Sequence, residues 1–234
     1  MSELVLDVRQ VGKTYGAGAG RVDALIDVSI EVHAGELVAI MGRSGSGKST
    51  LLNLAGGLDE PTTGTVTVHG SHLGGLARNA AAAMRRRHIG FVFQEYNLIP
   101  GLTVAENVAL PLELDGMRSR VALRMAAEAL SDVGLEHHGN RFPDEISGGE
   151  QQRAAVARAL VGTRRLLLAD EPTGALDEIT GESVLRLIRK RVDDGAAGVM
   201  VTHEPADAAW ADRVVMLRDG RVASVTERDT VAPL

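Results

Sequence analysis

The stretch that decides the fold is GRSGSGKST, which runs from Gly42 to Thr50. It fits the phosphate-loop pattern G-x-x-x-x-G-K-[ST] at every fixed position. An apolar run, Leu37–Met41, precedes it, and residues 50–55 have the character of a helix. A glycine-rich turn between a strand and a helix directs successive backbone N–H groups and the positive helix end at an anion. The stretch therefore predicts a polyphosphate-binding loop.

Two side chains of this loop have specific expected roles. Lys48 is placed to reach the β- and γ-phosphates of a nucleotide, and Ser49 to offer its hydroxyl to Mg²⁺. A flexible glycine linker is the alternative, but it leaves unexplained why Lys48, one of only three lysines in the chain, stands here. The candidates for nucleotide contact in the loop are Gly42, Arg43, Ser44, Gly45, Ser46, Gly47, Lys48, Ser49 and Thr50.

A second candidate site is an acidic pair at the end of an apolar run. Leu166–Ala169 reads as a buried strand, and Asp170 and Glu171 follow it directly. In open α/β sheets, ligands bind at the carboxyl ends of the strands. Asp170 is then placed to hold Mg²⁺ through water, and Glu171 to orient or deprotonate an attacking water. By itself such a pair is more often a solvated loop or a helix cap, but the phosphate loop in the same chain favours the catalytic interpretation.

The pattern of apolar residues around these sites predicts an α/β fold. Residues 4–11 and 22–32 alternate as two antiparallel strands, whereas from Leu37 onward short strands alternate with helical stretches, which is typical of parallel βα units. Asp219-Gly220 predicts a tight turn in a terminal hairpin of residues 213–218 and 221–226. The other predicted core strands are residues 89–93, 166–169 and 198–202. We expect one domain over residues 1–234, a phosphate-loop NTPase core with an antiparallel β subdomain and a helical insertion at about residues 102–160.

The composition excludes several classes of protein. The chain of 234 residues has no cysteine, which rules out disulfides, thiolate metal sites and thiol catalysis. A net charge of −6 argues against nonspecific nucleic-acid binding. The basic cluster Arg85–Arg87 is the exception, and we expect it to complement the negative end of an Ala-rich helix. No apolar run approaches the roughly 18 residues of a membrane span, and we expect a cytoplasmic location.

A third motif, ISGGEQQR at Ile146–Arg153, adds a second glycine-rich helix start. Ser147 is a typical helix cap, and the motif opens a predicted helix that runs to about residue 161. It resembles the signature motif of ABC transporter ATPases, which usually has Leu where this chain has Ile146. A capped helix with a glycine turn is the plainer interpretation. The resemblance implies a head-to-tail dimer in which Ser147, Gly148 and Gly149 of one copy cap the ATP in the phosphate loop of the other.

The same resemblance implies roles for four more residues. Tyr15 matches the aromatic residue that stacks on adenine, although packing on a strand face is an alternative. Gln94 matches the glutamine that contacts Mg²⁺ and the attacking water and senses the permease. Asp177 matches the aspartate that contacts the partner subunit, and His203 the histidine that contacts the γ-phosphate.

Long stretches at residues 38–64, 89–114, 166–177 and 200–204 look like the branch that contains macrolide exporters, lipoprotein-releasing ATPases and antimicrobial-peptide resistance transporters. The resemblance implies an ATPase subunit that uses ATP and Mg²⁺ and pairs with a second copy or a related chain. It also implies that the chain lies peripherally on the inner face of the cell membrane, held there by a separate integral membrane permease. The chain would drive this permease to export or extract a hydrophobic, peptide or lipoprotein-like cargo. We expect residues 96–100 to form part of the permease docking surface, because they offer apolar contacts.

Three other classes compete with this interpretation. A small GTPase carries an Asn-Lys-x-Asp selector, and no lysine of this chain follows an asparagine. A metabolite kinase gives no reason for the Ser-Gly-Gly helix start. A soluble ABC ATPase that acts on DNA or the ribosome usually carries a coiled-coil insertion or two tandem copies, and neither is found here.

Overall fold

The computed structural model describes residues 2–227, which form two sheets and seven α-helices. The strands are β1 Leu4–Tyr15, β2 Val22–His33, β3 Leu37–Met41, β4 Thr63–Val68, β5 Ser71–His72, β6 Ile89–Val92, β7 Leu166–Asp170, β8 Ala197–Val201, β9 Arg213–Arg218 and β10 Arg221–Glu227. The helices are α1 Lys48–Ala55, α2 Arg78–His88, α3 Val104–Leu114, α4 Ser119–Asp132, α5 Gly148–Leu160, α6 Glu178–Asp193 and α7 Pro205–Ala208. The predicted α/β class with an antiparallel β subdomain is confirmed.

The larger sheet has the order β10-β9-β3-β8-β7-β6, and every pair from β9 to β6 is parallel. The inner strands β3, β7 and β8 are buried along almost their whole length, as expected for a sheet that is covered on both sides. Val38, Ile40 and Leu168 face α1 and the smaller sheet, whereas Ala39 and Leu167 face the helices on the other side. The carboxyl ends of β3, β6, β7 and β8 therefore meet along one edge.

The smaller sheet is antiparallel, in the order β2-β1-β4-β5. The two predicted strands are present, and β1 is longer than expected because it continues through two register shifts to Tyr15. Both β4 and β5 were missed, since β4 has apolar residues only at Val66 and Val68 and β5 is only two residues long, so neither carries a clear periodic signal. Other strand boundaries differ from the prediction by one residue; Phe93 and Thr202 lie just outside β6 and β8.

Helices α3, α4 and α5 occupy the stretch predicted to be helical, and they pack on one another through buried Val, Ala and Leu side chains. The side chain of Asn107 in α3 is fully buried and forms hydrogen bonds to the backbone of Ile99, Leu102 and Thr103. It thus fixes the path of the chain that enters α3.

The Ala-rich helix predicted near residues 80–84 is α2, and its last turn contains Arg85, Arg86 and Arg87, as expected. Two of these arginines also have specific partners. Arg85 donates to the carbonyl of Gly57 at 2.8 Å, and Arg87 pairs with Asp115 at 2.7 Å. Among residues 2–227, no helix combines the length and the apolar character needed to cross a membrane.

Candidate functional site

The phosphate loop joins β3 to α1, and its backbone geometry requires glycine at Gly47. The φ angle of Gly47 is 100°, and a Cβ there would lie 2.4 Å from the carbonyl oxygen of Ala24. Helix α1 begins at Lys48, two residues earlier than expected. The Lys48 Nζ donates to the carbonyls of Gly42 at 2.8 Å and Arg43 at 3.0 Å, so the ammonium group lies inside the loop. The loop is thereby shaped around a positive charge.

The loop forms one wall of a cleft of about 1050 Å³. The cleft lies where β3, β6, β7 and β8 end, and it brings together most of the residues that the sequence predicted. The predicted residues that line it are Gly42, Arg43, Ser44, Gly45, Gly47, Lys48, Ser49, Thr50, Gln94, Asp170, Glu171 and His203. Parallel strands place these distant segments at one edge, as the sequence analysis expected.

Asp170 ends β7 on the floor of this cleft. Burial raises the pKa of its carboxyl group, and the nearby charge of Glu171 raises it further, whereas the Ser49 hydroxyl and Lys48 oppose the shift. The ionised form of Asp170 therefore lies close to the negative charge of Glu171. The hydroxyl of Ser49, the carboxylate of Asp170 and the amide of Gln94 supply the oxygen ligands that Mg²⁺ prefers. The donor set at this edge therefore fits a magnesium ion.

Glu171 and His203 form a hydrogen-bonded pair in the cleft. The Nδ1 of His203 lies 2.8 Å from Oε1 of Glu171, and its Nε2 lies 3.2 Å from Oε1 of Glu204. The hydrogen bond to Glu171 raises the pKa of His203, and its negative charge adds to the shift. Glu171 itself has a φ angle of 49°, a left-handed conformation that a residue with a side chain rarely adopts. Such backbone strain is concentrated at functional sites.

Six predicted residues do not line this cleft: Tyr15, Ser46, Ser147, Gly148, Gly149 and Asp177. The side chain of Ser46 is buried beneath the loop. The phenol of Tyr15 donates to Oδ2 of Asp59 at 2.9 Å, and the Lys13 ammonium lies 4.9 Å from the ring centre. Tyr15 is nevertheless 42% exposed, so one part of the ring is free to contact a ligand.

The Ser-Gly-Gly motif lies at the start of α5 on the surface of the chain. Ser147 and Glu150 form a capping box: the Glu150 N–H donates to Oγ of Ser147 at 3.3 Å, and the Ser147 N–H donates to Oε2 of Glu150 at 2.7 Å. The two hydrogen bonds that Ser147 donates to this carboxylate, from its N–H and from its hydroxyl, lower the pKa of Glu150. Ser147 and Gly148 are exposed. The motif is thus an ordered helix N-terminus that does not line the cleft of its own chain.

Asp177 is a cap as well. It precedes α6, and its two carboxylate oxygens accept from the N–H and the hydroxyl of Thr180 at 3.0 and 2.7 Å. These hydrogen bonds lower its pKa. The carboxylate is therefore fixed and charged at an exposed position.

The sequence analysis missed several residues that line the cleft: Val22, Asp23, Ala24, Tyr96, Gln152, Gly174, Ala175, Val201, Asp219 and Gly220. Gln152 is buried, and its Nε2 donates to the carbonyl of Pro172 at 3.0 Å, which ties α5 to the turn after Glu171. Its position within the ISGGEQQR motif was a usable signal. Asp219 and Gly220 were predicted only as a hairpin turn, and they reach the cleft because β9 lies beside β3.

Fold and cleft together define a phosphate-loop nucleotide hydrolase with an antiparallel β subdomain. The sequence profile of the ABC transporter family matches residues 25–174. The chain is 44% identical over 218 residues to the macrolide export ATP-binding/permease protein MacB of Shigella flexneri, and 43% identical over the same length to that of Escherichia coli K12. Both alignments cover 93% of this chain and 34% of the relative, so the chain spans about a third of the length of these relatives.

The solved structures agree with the sequence relatives. The dimeric post-hydrolysis structure of the ATP-binding cassette MJ0796, bound to ADP and Pi, superposes with a TM-score of 0.91 at 42% identity, covering 95% of this chain and 98% of that one. A second dimeric structure of the same bacterial ABC transporter cassette gives the same values. This chain belongs to the ABC transporter family, as an ATP-binding cassette with ATPase activity.

The Glu171–His203 pair makes the ionisation of His203 a measurable property of the site. We expect NMR titration of the imidazole to give a pKa above 6.5, and Glu171→Gln to lower it. Because the pKa is raised on folding, the contribution of the pair to stability is complete below pH 6.5 and is lost as the pH rises through the raised value. Glu204→Gln is the matched control and should lower the pKa less, since the charge of Glu204 is a smaller cause. An unchanged pKa in Glu171→Gln would show that the pair does not form in solution.

Proposed function

We propose that this chain is the motor of a transporter and that two cassettes close head to tail on two ATP molecules to drive a separate membrane permease. The observation that carries the proposal is the position of the Ser147–Gly149 motif. It is an ordered helix N-terminus, suited to a phosphate group, yet it does not line the cleft of its own phosphate loop. A second copy, rotated about a two-fold axis, would bring the motif to the open side of that cleft. Two solved structures of one relative, the cassette MJ0796, are dimeric.

In the proposed mechanism, the residues of one cleft bind and orient ATP. The loop N–H groups and Lys48 hold the β- and γ-phosphates, and Tyr15 stacks on adenine from the exposed face of its ring. Ser49, Asp170 and Gln94 would hold Mg²⁺, which would neutralise charge on the phosphates. The Ser147–Gly149 turn of the partner copy would cover the γ-phosphate, and Asp177 would contact that copy.

Glu171 is the proposed base for the attacking water. His203 engages Oε1 of Glu171, which leaves the second carboxylate oxygen to accept a hydrogen bond from the water and its proton as the water attacks. The raised pKa of His203 favours its charged form, which would place positive charge beside the γ-phosphoryl group, where negative charge develops in the transition state. Lys48 adds a second positive charge from the opposite wall. Hydrolysis would remove the γ-phosphate contact and reopen the dimer.

The proposed permease docking surface is a groove of about 210 Å³ between the larger sheet and α3. Leu58, Phe91, Phe93 and Pro111 form its apolar part, and four arginines also line it. Residues 96–100, which the sequence predicted as part of the docking surface, are not among its lining residues; the exposed Ile99 lies on that segment. An apolar segment of an integral membrane permease is the proposed occupant, because the curated relatives are named as ATP-binding/permease proteins. The chain would then lie on the inner face of the cell membrane.

The finer branch and cargo are also proposals. The curated relatives with 43–44% identity are named for macrolide export, which supports export or extraction of a hydrophobic, peptide or lipoprotein-like cargo. Residues 1–234 are proposed to act as one ATPase domain, with the stretch at about 102–160 as its helical insertion. The described part of this domain ends at residue 227.

Glu171→Gln tests the composite site. The variant keeps the cleft but removes the base, so ATP should bind and the closed dimer should accumulate. Size-exclusion chromatography with excess Mg-ATP should show a dimer for this variant and a smaller species without nucleotide. Glu182→Gln, an exposed change on α6, is the matched control and should not accumulate a dimer. A Glu171→Gln chain that stays monomeric with ATP would contradict the mechanism.

Lys48→Ala tests the phosphate loop. The variant loses the ammonium that the loop encloses, and phosphate release should fall by at least about 100-fold, as expected for a lost charge contact to the transferred group. Lys190→Ala, an exposed change near the end of α6, should hydrolyse ATP at the normal rate. Hydrolysis that persists in Lys48→Ala would place the active centre elsewhere.

Leu58→Glu tests the docking groove. When the tagged chain is co-expressed with the membrane protein encoded beside it, the two should co-purify in detergent, and a charge in the groove should reduce recovery of the membrane protein. Val225→Glu, at an equally exposed apolar residue of β10, should not reduce it. Equal recovery with both variants would remove this groove from the interface.

A further inference from the structure

The segment between β6 and α3 has an unusual backbone immediately after Gln94. Tyr96 and Asn97 have φ angles of 56° and 49°, so two consecutive residues with side chains are in the left-handed region. Asparagine tolerates that region, but tyrosine rarely adopts it. A conformation of this kind persists only where the surroundings hold it. The contacts that hold this segment therefore determine where Gln94 lies.

The guanidinium group of Arg158 provides such contacts. Arg158 lies on α5, and its Nη1 donates to the carbonyl of Asn97 at 2.5 Å while its Nη2 donates to the carbonyl of Tyr96 at 2.6 Å. A planar guanidinium can bind two adjacent carbonyls at once, which an ammonium group cannot do with the same geometry. Burial lowers the pKa of Arg158 to about 10. Within residues 2–227 it forms no ion pair, so the two carbonyl dipoles are its electrostatic partners.

The other end of α5 also contacts the segment. A Cβ built on Gly148 would lie 3.3 Å from the hydroxyl oxygen of Tyr96, so the phenol lies against the first turn of α5, beside Ser147. The following residues are fastened to α3, because Asn107 accepts from the N–H of Ile99 at 2.7 Å and donates to its carbonyl at 3.1 Å. The segment is thus held between the helix that carries the Ser-Gly-Gly motif and the helix that borders the proposed docking groove.

We infer that Arg158 is a positioning residue that fastens the segment after Gln94 to helix α5, so that any movement of the Ser147–Gly149 motif moves Gln94 with it. The inference rests on the proposed function for the role of Gln94 in hydrolysis. It goes beyond that function by naming one contact. Through this contact, movement of the Ser147–Gly149 motif onto the ATP of the partner copy would be transmitted to Gln94 and the docking groove. Arg158 itself lines the docking groove, and it contacts the segment after Gln94 through the carbonyls of Tyr96 and Asn97.

The test compares Arg158→Gln and Arg158→Lys with Arg164→Gln. Arg164 is a matched control, because burial also lowers its pKa to about 10 and its guanidinium also donates to backbone carbonyls, at Arg86, Arg158 and Val161. It supports the end of α5 without touching the segment after Gln94. Thermal unfolding of all three variants measures the loss of stability that any such deletion causes, and Arg158→Lys keeps the charge if Arg158→Gln folds poorly.

The first measurement is hydrogen exchange of residues 94–100 in the nucleotide-free chain. The N–H of Tyr96 donates to the carbonyl of Phe93, and that of Asn97 to the carbonyl of Glu95. Both N–H groups should exchange about tenfold faster in Arg158→Gln, when the two fastening bonds are lost. Arg158→Lys should fall between that variant and the unmodified chain. Arg164→Gln should leave exchange of this segment unchanged. Equal exchange in Arg158→Gln and the unmodified chain would overturn the inference.

The second measurement separates kcat from KM for ATP. Misplacement of Gln94 should lower kcat of Arg158→Gln by about 10- to 100-fold, since a distant mutation that shifts an active-site group by about 1 Å can cost up to about 100-fold in rate. KM should change less than about twofold, because the phosphate loop is untouched. An equal fall in kcat for Arg164→Gln would mean a merely structural role and would overturn the inference. Hydrogen exchange is measured without ATP and does not require a dimer. Faster exchange together with a normal kcat would show that Arg158 fastens the segment but that this contact does not position Gln94 for hydrolysis.

Discussion

The nucleotide cleft depends on opposite charges that face each other across one edge of the larger sheet. Backbone N–H groups and Lys48 approach the cleft from the end of β3, while Asp170 and Glu171 approach it from the end of β7. Neither set is balanced alone, since Asp170 has a raised pKa and Lys48 is held only by carbonyl groups of the phosphate loop. A triphosphate with a divalent cation would supply both missing charges. The parallel order of strands keeps the two walls a fixed distance apart.

Helix α5 links this cleft to the rest of the molecule. Its first turn carries the Ser-Gly-Gly motif, Gln152 ties it to the turn after Glu171, and Arg158 ties it to the segment after Gln94. Arg164 then holds the carbonyls at its end. One helix therefore contacts the surroundings of the proposed base and of Gln94 at once. A small rotation of α5 would shift both the turn after Glu171 and the segment after Gln94, because packed interiors shift as units rather than deform gradually.

The sequence predicted the cleft better than it predicted the segments around it. Phosphate-loop glycines, an acidic pair after a strand and a histidine after another strand are local patterns, and the strand order brings them together. The weak strands β4 and β5 carry little periodic signal, so they were missed. The left-handed Tyr96 could not be predicted either, since its conformation is held by a side chain 62 residues away.

The fold class, the phosphate loop and the residues at the ends of the core strands follow from the amino-acid sequence, because they depend on short-range periodicity and on glycine at fixed spacings. The capping bonds of Ser147 and Asp177 are local too, since each joins residues three positions apart. The tertiary structure was needed to show that Ser147 and Gly148 do not line the cleft of their own chain and that Arg158 reaches the segment after Gln94. Hydrogen bonds between distant segments depend on how helices pack on the sheet, and no local pattern of residues encodes that packing.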